Sequence, residues 1–325
     1  MATQVNKRIA TIIDKESWGF LIDSCVHSDF YHTYDYHITS KGKGEEAILI
    51  RYSEDGHSIL LPVLIRKIEG TIYKDATSVY GYPGPLVTNT SHDFDYGSFK
   101  SELQKLFMEM NIISIFSRLN PFIPCQENVL NGCGDIETAG NVINIDLSKT
   151  TGEQESAYQG RLRTYINKSR RLCTIKKAET DAEVLKFIDM YYGNMKRVNA
   201  KKNYFFEKRY FFDLMNSTDF KTEILLTIHN ETQKIIGGAM FIKKSNIVQY
   251  HLSGTIAEYL YLNPVKLMID EMRIIATKEK YTYFNLGGGV GSKEDSLFRF
   301  KSNFSKDFRA FKVWKCIVNK KIYDE

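Results

Sequence analysis

The chain has 325 residues, 44 Lys+Arg against 39 Asp+Glu for a formal net charge of +5, and 43% hydrophobic residues. That composition is ordinary for a globular protein with a sizeable core, and at roughly 100–200 residues per domain the length predicts two domains. Twenty Tyr and 20 Phe against 6 Pro exclude a disordered or collagen-like chain, and the small basic excess does not mark a protein that coats nucleic acid.

Five cysteines (Cys25, Cys125, Cys133, Cys173, Cys316), with no CxxC spacing, argue against a disulfide framework or zinc site and for a reducing compartment. The opening segment MATQVNKRIATIIDKESW lacks the apolar core of a secretory signal. The longest apolar stretch, Ile59 to Ile65, contains Pro62 and is far shorter than the roughly 18 residues of a spanning helix. The expectation is a soluble, cytoplasmic protein; the sequence does not set its oligomeric state.

Strand-like and helix-like runs alternate along the chain. Ala47 to Tyr52 and Ser58 to Lys67 flank SEDG as a hairpin, and Thr71 to Tyr80 forms a third β run. Phe99 to Met110 places Leu103, Leu106, Phe107 and Met110 on one helical face, and the β-like Ile112 to Arg118 follows. A break at LSKTTGE, after NVINIDL, sets the expected domains at 1–148 and 149–325. From Glu223 to Tyr250 the first layout returns: strand, polar turn, strand ending in two basic residues, short turn, strand. Asn263-Pro264 is a helix start, with the helix running to about Lys280, because Asn can cap and Pro is tolerated at the first helical position. After it come the strand YTYFNL, the loop GGGVG, a helix from about Glu294 to Phe304, and DFRAFKVWKCIVNKKIY, which reads as two further strands. The repeat predicts one α/β plan used twice.

Two features could carry chemistry. From Arg161 to Lys177 the chain holds seven Lys or Arg and no acid; over residues 161–209 the count is 14 basic and 5 acidic, a local +9 that leaves −4 elsewhere. Clustered cations reward a polyanionic ligand, although a solvated helix face has the same composition. The second is strand, glycine loop, helix: Gly287, Gly288, Gly289 and Gly291, then the helix bearing Asp295, Arg299 and Lys301. Glycines let backbone approach a ligand, and a tight structural turn would use them equally. Neither GxxxxGK[ST] nor a Rossmann fingerprint fits. The histidines show no HExxH and no His/Cys cluster, so no metal site is expected, and there is no GxSxG elbow.

Taken together, RLRTYINKSRR, MYYGNMKRVNAKKNYFFEKRYFFDL and the run from VQYHLSG to FRFKSNFS resemble the second half of FemAB-type transferases, and FYHTYDYHITSK and SVYGYPGPLV resemble segments of their first half. The resemblance covers nearly the whole chain. It implies an α/β (α+β) fold of two tandem GNAT-like domains, each a mixed, mostly antiparallel sheet flanked by helices. It also implies an N-acyltransferase moving an acyl or aminoacyl group onto an amine of a phosphate-bearing cell-envelope precursor, such as a nucleotide- or lipid-linked amino sugar or muropeptide. The donor would be acyl-CoA or aminoacyl-tRNA as a co-substrate, with no resident cofactor, no DNA and no metal. The alternative is a non-catalytic binding protein on a degenerate transferase fold.

By the same resemblance, Lys41 and Arg197 hold substrate phosphate, with Lys196 and Lys201 as alternatives to Arg197, and Phe300-Lys301 is the pair beside the active site. Acyl transfer needs an uncharged amine, oxyanion stabilisation and a proton for the leaving group. Lys301 is expected to stabilise developing charge, with the amides of Gly288 and Gly289 assisting. Asp295 would position the acceptor amine or accept its proton, and Tyr250 and Ser253 would line the cleft. The glycine loop with which GNAT enzymes grip CoA pyrophosphate is missing: GTIAEYLYLNPVK occupies its place, and Pro264 removes an amide donor.

Overall fold

The structure is a computed structural model that describes residues 8–88 and 94–325; the first seven residues, on which the reading of the N-terminus partly rests, lie outside this range. The chain starts with strand β1 (Ile9–Ile12) and two short helices, α1 (Lys15–Asp23) and α2 (Tyr34–Ser40). Side chains cap both helices: Asp14 accepts from the Ser17 N–H at 2.8 Å and Thr33 from the Tyr36 N–H at 3.4 Å. Strands β2 (Glu46–Glu54) and β3 (His57–Lys67) form the predicted hairpin, because Asp55 and Gly56 both take positive φ, 48° and 79°. Then follow β4 (Lys74–Thr77), shorter than the run read from sequence, β5 (Leu86–Val87), α3 (Gly97–Glu109), β6 (Ile112–Arg118) and α4 (Gln126–Leu130). Phe99, Leu103 and Phe107 of α3 pack into one core with Ile48, Ile50, Tyr52, Leu61 and Val63 of the hairpin.

Strand β7 (Asp135–Asp146) leads into α5 (Thr151–Ser156), α6 (Leu162–Leu172), β8 (Cys173–Lys177), α7 (Asp181–Arg197) and α8 (Lys208–Met215). The second strand run is β9 (Lys221–His229), β10 (Ile235–Lys244) and β11 (Ile247–Thr255), followed by α9 (Pro264–Lys278), β12 (Tyr283–Gly287) and α10 (Ser296–Ser302). Helix α9 buries Leu267, Met268, Met272 and Ala276 against Ala239, Phe241, Val248 and Phe284. The tail expected as two strands is a single strand, β13 (Asp307–Ile317), and a short helix, α11 (Lys320–Tyr323), because Asn319 accepts from the Ile322 N–H and starts a helical turn.

The chain separates into two units: residues up to Ala139 together with Ala310–Glu325, and Gly140–Arg309. In the first, the strand order is β1-β2-β3-β4-β6-β13, with β4 and β6 parallel and the other neighbours antiparallel. In the second, it is β8-β9-β10-β11-β12-β7, with β11 and β12 parallel and the rest antiparallel. One plan is thus used twice. The closing strand of each unit is exchanged: β7 follows the first strand set in sequence yet pairs with β12, while β13 follows the second set yet pairs with β6. This differs from the expected division at 148/149, which left the last strand with the second domain.

Candidate functional site

The site is built where the parallel pair of the second unit comes apart. Residues Ile247, Val248 and Gln249 pair with Tyr283, Phe284 and Asn285, and the pairing stops there although β11 runs on to Thr255 and β12 to Gly287. Against β10, Phe241 faces Tyr250 and Met240 faces Leu252, so His251 is an extra residue, a β-bulge. The bulge shifts the alternation by one position. Tyr250 and Ser253, three apart, therefore share a face and hydrogen-bond through their hydroxyls. Burial pushes the Tyr250 phenol up to about 12, so it stays neutral.

The loop after β12 uses its glycines for shape. Gly287 has φ +75°, and a Cβ at Gly288 would lie 2.7 Å from the Asn141 carbonyl oxygen. At Gly289 it would lie 1.9 Å from the Lys293 carbonyl oxygen. Asp295 ties the loop to α10, accepting from the Phe298 N–H at 2.9 Å and from the Val290 N–H at 3.2 Å. Burial raises the Asp295 pKa, but the N–H groups of Phe298, Val290 and Leu297 outweigh it, and the carboxyl is held below its ordinary value. Asp295 is thus an ionised cap and loop clamp, and its oxygens are turned to the backbone.

Lys301, 7% exposed, projects from α10 towards the loop. Its ammonium donates to the Gly288 carbonyl at 2.8 Å and stands 5.7 Å from the centre of the Tyr250 ring. Burial pulls its pKa down to about 8, against the opposing charge of Asp295. The expected contribution of Gly288 was an amide donor; the group facing Lys301 is its carbonyl. The structure thus gathers Lys301, Asp295, Gly288, Gly289, Tyr250 and Ser253 around one end of the parted strands. Phe300 is half-buried and packs edge-on to Phe304, in the core beside that cluster.

Two expected residues are not part of this cluster. Lys41 is in the first unit, an exposed residue at the end of α2 whose N–H donates to His37 O at 2.9 Å. Arg197 ends α7, exposed and hydrogen-bonded to Asn194. Helix α7 covers the other face of the sheet from α9: a Cβ at Gly238 would meet Phe187, whereas the next residue, Ala239, packs with Met268 and Met272.

Sequence reasoning overlooked a row of amides in the last rung before the strands part. Asn144, Asn285 and Gln249 are neighbours across β7, β12 and β11, and all are buried. Asn144 donates to Asp307 at 2.7 Å and accepts from the Phe284 N–H at 3.1 Å. Asn285 accepts from the Gly287 N–H at 2.8 Å, while its Nδ2 is buried with no hydrogen-bond partner. The available signal was an amide in each of three apolar strands, NVINID, YFNL and IVQY.

The basic tract resolves into paired and free charges. Arg170 binds Asp270 at 2.6 Å, Lys177 binds Glu223 at 3.3 Å, and Lys176 binds Glu183. Arg161, at the N-cap of α6, and Arg163, Lys168 and Arg171 on it are exposed, with Arg163 donating to the Glu155 carbonyl at 3.0 Å. Lys168 lies over the Tyr261 ring at 5.7 Å and Lys266 over the Tyr165 ring at 4.0 Å. These lysines and tyrosines surround the start of α9, where Asn263 is left-handed and no side chain caps the helix. That is where the missing pyrophosphate loop would stand. Among the described residues no His, Cys, Asp or Glu group could hold a metal ion, and no helix is long and apolar enough to cross a membrane.

No protein-family model and no curated protein matches the sequence. Solved structures do match it. A crystal structure of FemX superposes with a TM-score of 0.72 at 14% identity, covering 97% of this chain and 99% of that one. The C-terminal domain of a putative lysylphosphatidylglycerol synthetase from Agrobacterium fabrum gives a TM-score of 0.57 at 13% identity, covering 95% and 94%. A tandem GNAT protein from the clavulanic acid biosynthesis pathway gives 0.50 at 8% identity, covering 96% and 99%. The fold is therefore a FemX-like tandem of GNAT-type units, each a mixed, mostly antiparallel sheet flanked by helices.

Proposed function

We propose that the protein is an N-acyltransferase that moves an acyl or aminoacyl group from acyl-CoA or aminoacyl-tRNA to an amine of a phosphate-bearing cell-envelope precursor, working in the cytoplasm. The observation that carries this reading is the buried ammonium of Lys301, with its lowered pKa, at the opening between β11 and β12. The attacking amine adds to the donor's carbonyl carbon, and negative charge builds on the carbonyl oxygen and then on the leaving oxygen or sulfur. A cation in a site drier than water stabilises that charge strongly. With a pKa pulled down to about 8, the same ammonium can release its proton to the leaving group, and the proton lost by the attacking amine as the amide forms passes through water to restore it. Tyr250 and Ser253 line the opening, and Asp295 positions the glycine loop rather than acting as a base.

Both donors carry phosphate beyond the reacting ester. The uncapped start of α9 with Lys168 and Lys266 is the place proposed to hold it. Lys41 and Arg197 are proposed to bind acceptor phosphate, each testable by its own alanine variant. Both residues are exposed. The deciding experiment incubates the protein with labelled acetyl-CoA or labelled aminoacyl-tRNA, each with nucleotide-linked amino sugars or muropeptides. Transfer of one label to an acceptor amine that is lost in K301A supports the reading. Absence of transfer from either donor, with both still bound, favours a non-catalytic binding protein.

A further inference from the structure

Cys133 and Cys316 are separated by 183 positions, yet their Sγ atoms are 3.9 Å apart and hydrogen-bonded. Cys133 follows α4, and Cys316 is near the end of β13, two residues after Trp314. Three features hold them together. The Trp314 indole N–H donates to the Cys133 carbonyl. A Cβ at Gly134 would lie 2.2 Å from the Lys315 carbonyl oxygen and 2.7 Å from Cys316 Cβ, so the turn passes β13 as closely as glycine allows. Both thiols also rest half-buried on the core that contains Trp314.

The two thiols differ in readiness. Either sulfur can donate in this contact; the Cys316 thiol and the ammonium of Lys100 both hold the Cys133 pKa below its ordinary value, whereas the neighbouring Cys133 and burial push that of Cys316 up. A thiol whose ionisation is favoured, in hydrogen-bond contact with a second thiol, is the arrangement from which disulfides form.

We propose that Cys133 and Cys316 are an oxidative modification site that closes to an intramolecular disulfide with a low-molecular-weight disulfide, such as oxidised glutathione, as co-reactant. The Cys133 thiolate attacks one sulfur of the glutathione disulfide; that S–S bond breaks, and one glutathione leaves as its thiolate and takes up a proton. Cys316 then attacks Cys133 Sγ, giving up its own proton; the mixed disulfide breaks and the second glutathione leaves. Two protein thiols are oxidised and one glutathione disulfide is reduced to two glutathiones.

The chain leaves the first unit at Ala139 and re-enters it at Ala310, so this bond would enclose the whole second unit, Gly140–Arg309, in one covalent loop. In a reducing compartment such a bond is transient and responds to redox state.

The test uses the full chain equilibrated in reduced or oxidised glutathione, quenched in acid, denatured and labelled with a maleimide. Five labels are expected from the reduced buffer, matching the five cysteines, and three after oxidation. Peptide mapping should join the Cys133 and Cys316 peptides at two hydrogens below their summed mass. A proteolytic cut within 140–309 should then leave the flanking fragments linked until a reductant is added. C316A should stop at a glutathione adduct on Cys133. Five labels after oxidation, a lasting Cys133 adduct in the unaltered chain, or loss of two labels in C133S would each overturn the proposal.

Discussion

The ammonium of Lys301 meets the carbonyl oxygen of Gly288 at 2.8 Å, so a buried cation is anchored on backbone whose course only glycine permits. Gly287, Gly288 and Gly289 set that carbonyl, Asp295 fixes the loop from the far side, and α10 delivers the lysine. The glycine loop and the lysine are therefore parts of one device.

Replacing Lys301 by alanine is expected to lower transfer by about 10²–10³-fold, the usual effect of removing one group that stabilises transition-state charge. The pH profile is a sharper check. If the charged form is required, activity falls as pH rises through about 8. K301R, charged at every accessible pH, should lose that alkaline limb whatever its absolute rate. For stability the sign is opposite. The folded pKa lies below the unfolded one, so the unfolded chain binds more protons between about 8 and 10.5, and stability linked to this group rises with pH across that window. Rate measurements and urea unfolding against pH test the two separately.

G289A is expected to disrupt the loop. The new Cβ would sit 1.9 Å from the Lys293 carbonyl and 2.5 Å from Asp295 Oδ1, so backbone must shift and the clamp must open. Activity should fall by at least about tenfold with a loss of roughly 1–3 kcal/mol in stability. Gly193, within α7, gives the control, since nothing lies within 4 Å of a Cβ there. G193A should stabilise the protein by about 0.5–1 kcal/mol and leave activity intact.

D295A removes the cap of α10 and the restraint on Val290 together. A stability loss of about 1 kcal/mol is expected, with D295N retaining most of it, because an Asn oxygen caps nearly as well. If Asp295 were the proton acceptor, D295N would lose activity as fully as D295A. A rescue of activity by Asn identifies the clamp. The folded carboxyl pKa is depressed, so its contribution to stability is present above the unfolded value of about 3.8 and is lost as pH falls below it.

Local patterns in the sequence carried the hairpin at Asp55-Gly56, the face of α3, the start of α9 at Pro264 and the repeated strand layout, because each depends on residues close in the chain. The exchange of β7 and β13 depends on pairings with β12 and β6 far away in sequence, which no local pattern records. The site shows the same split. Lys301, Asp295 and the glycines were legible as a strand-loop-helix run. Tyr250 and Ser253 were named together by the family resemblance, but the bulge at His251 that puts them on one face breaks simple alternation and left no local pattern. The buried amide of Asn285 and the pairing of Arg170 with Asp270 were hidden because burial is set by the tertiary fold.

Asp270 is the centre of a buried network behind α6. It is 1% exposed and accepts from Tyr158, from Arg170 at 2.6 Å and from Arg273 at 2.8 Å; the Arg273 side chain is fully buried. D270N leaves that guanidinium short of a compensating charge and should cost about 3 kcal/mol in urea unfolding, at the low end for a broken buried pair because Gln154 and Glu155 still accept from Arg273. D270N/R273M, which removes both charges, should cost less than the sum of the single variants. An additive outcome would mean that the two residues do not act as a pair.

Salt dependence separates the two donors. Each phosphate contact with Lys or Arg that releases counterions steepens the fall of binding with salt, by about 0.7 in log–log slope for a single strand. Aminoacyl-tRNA held by Arg161, Lys168, Arg171 and Lys266 should therefore show a slope of about −2 to −3, and K168A or K266A should each flatten it by about 0.7. Acyl-CoA, whose phosphates would meet Lys168 and Lys266 alone at the proposed place, should depend on salt less steeply. Tyr165 and Tyr261 give a further discriminator, as they lie against Lys266 and Lys168 with 37% and 60% of their surface exposed. Stacking of nucleotide bases on these rings predicts that Y261A weakens donor binding by roughly tenfold or more while leaving the salt slope unchanged. Fluorescence titrations of each variant over a range of salt read both effects, and an unchanged slope in K168A and K266A would remove α6 and the start of α9 from the donor site.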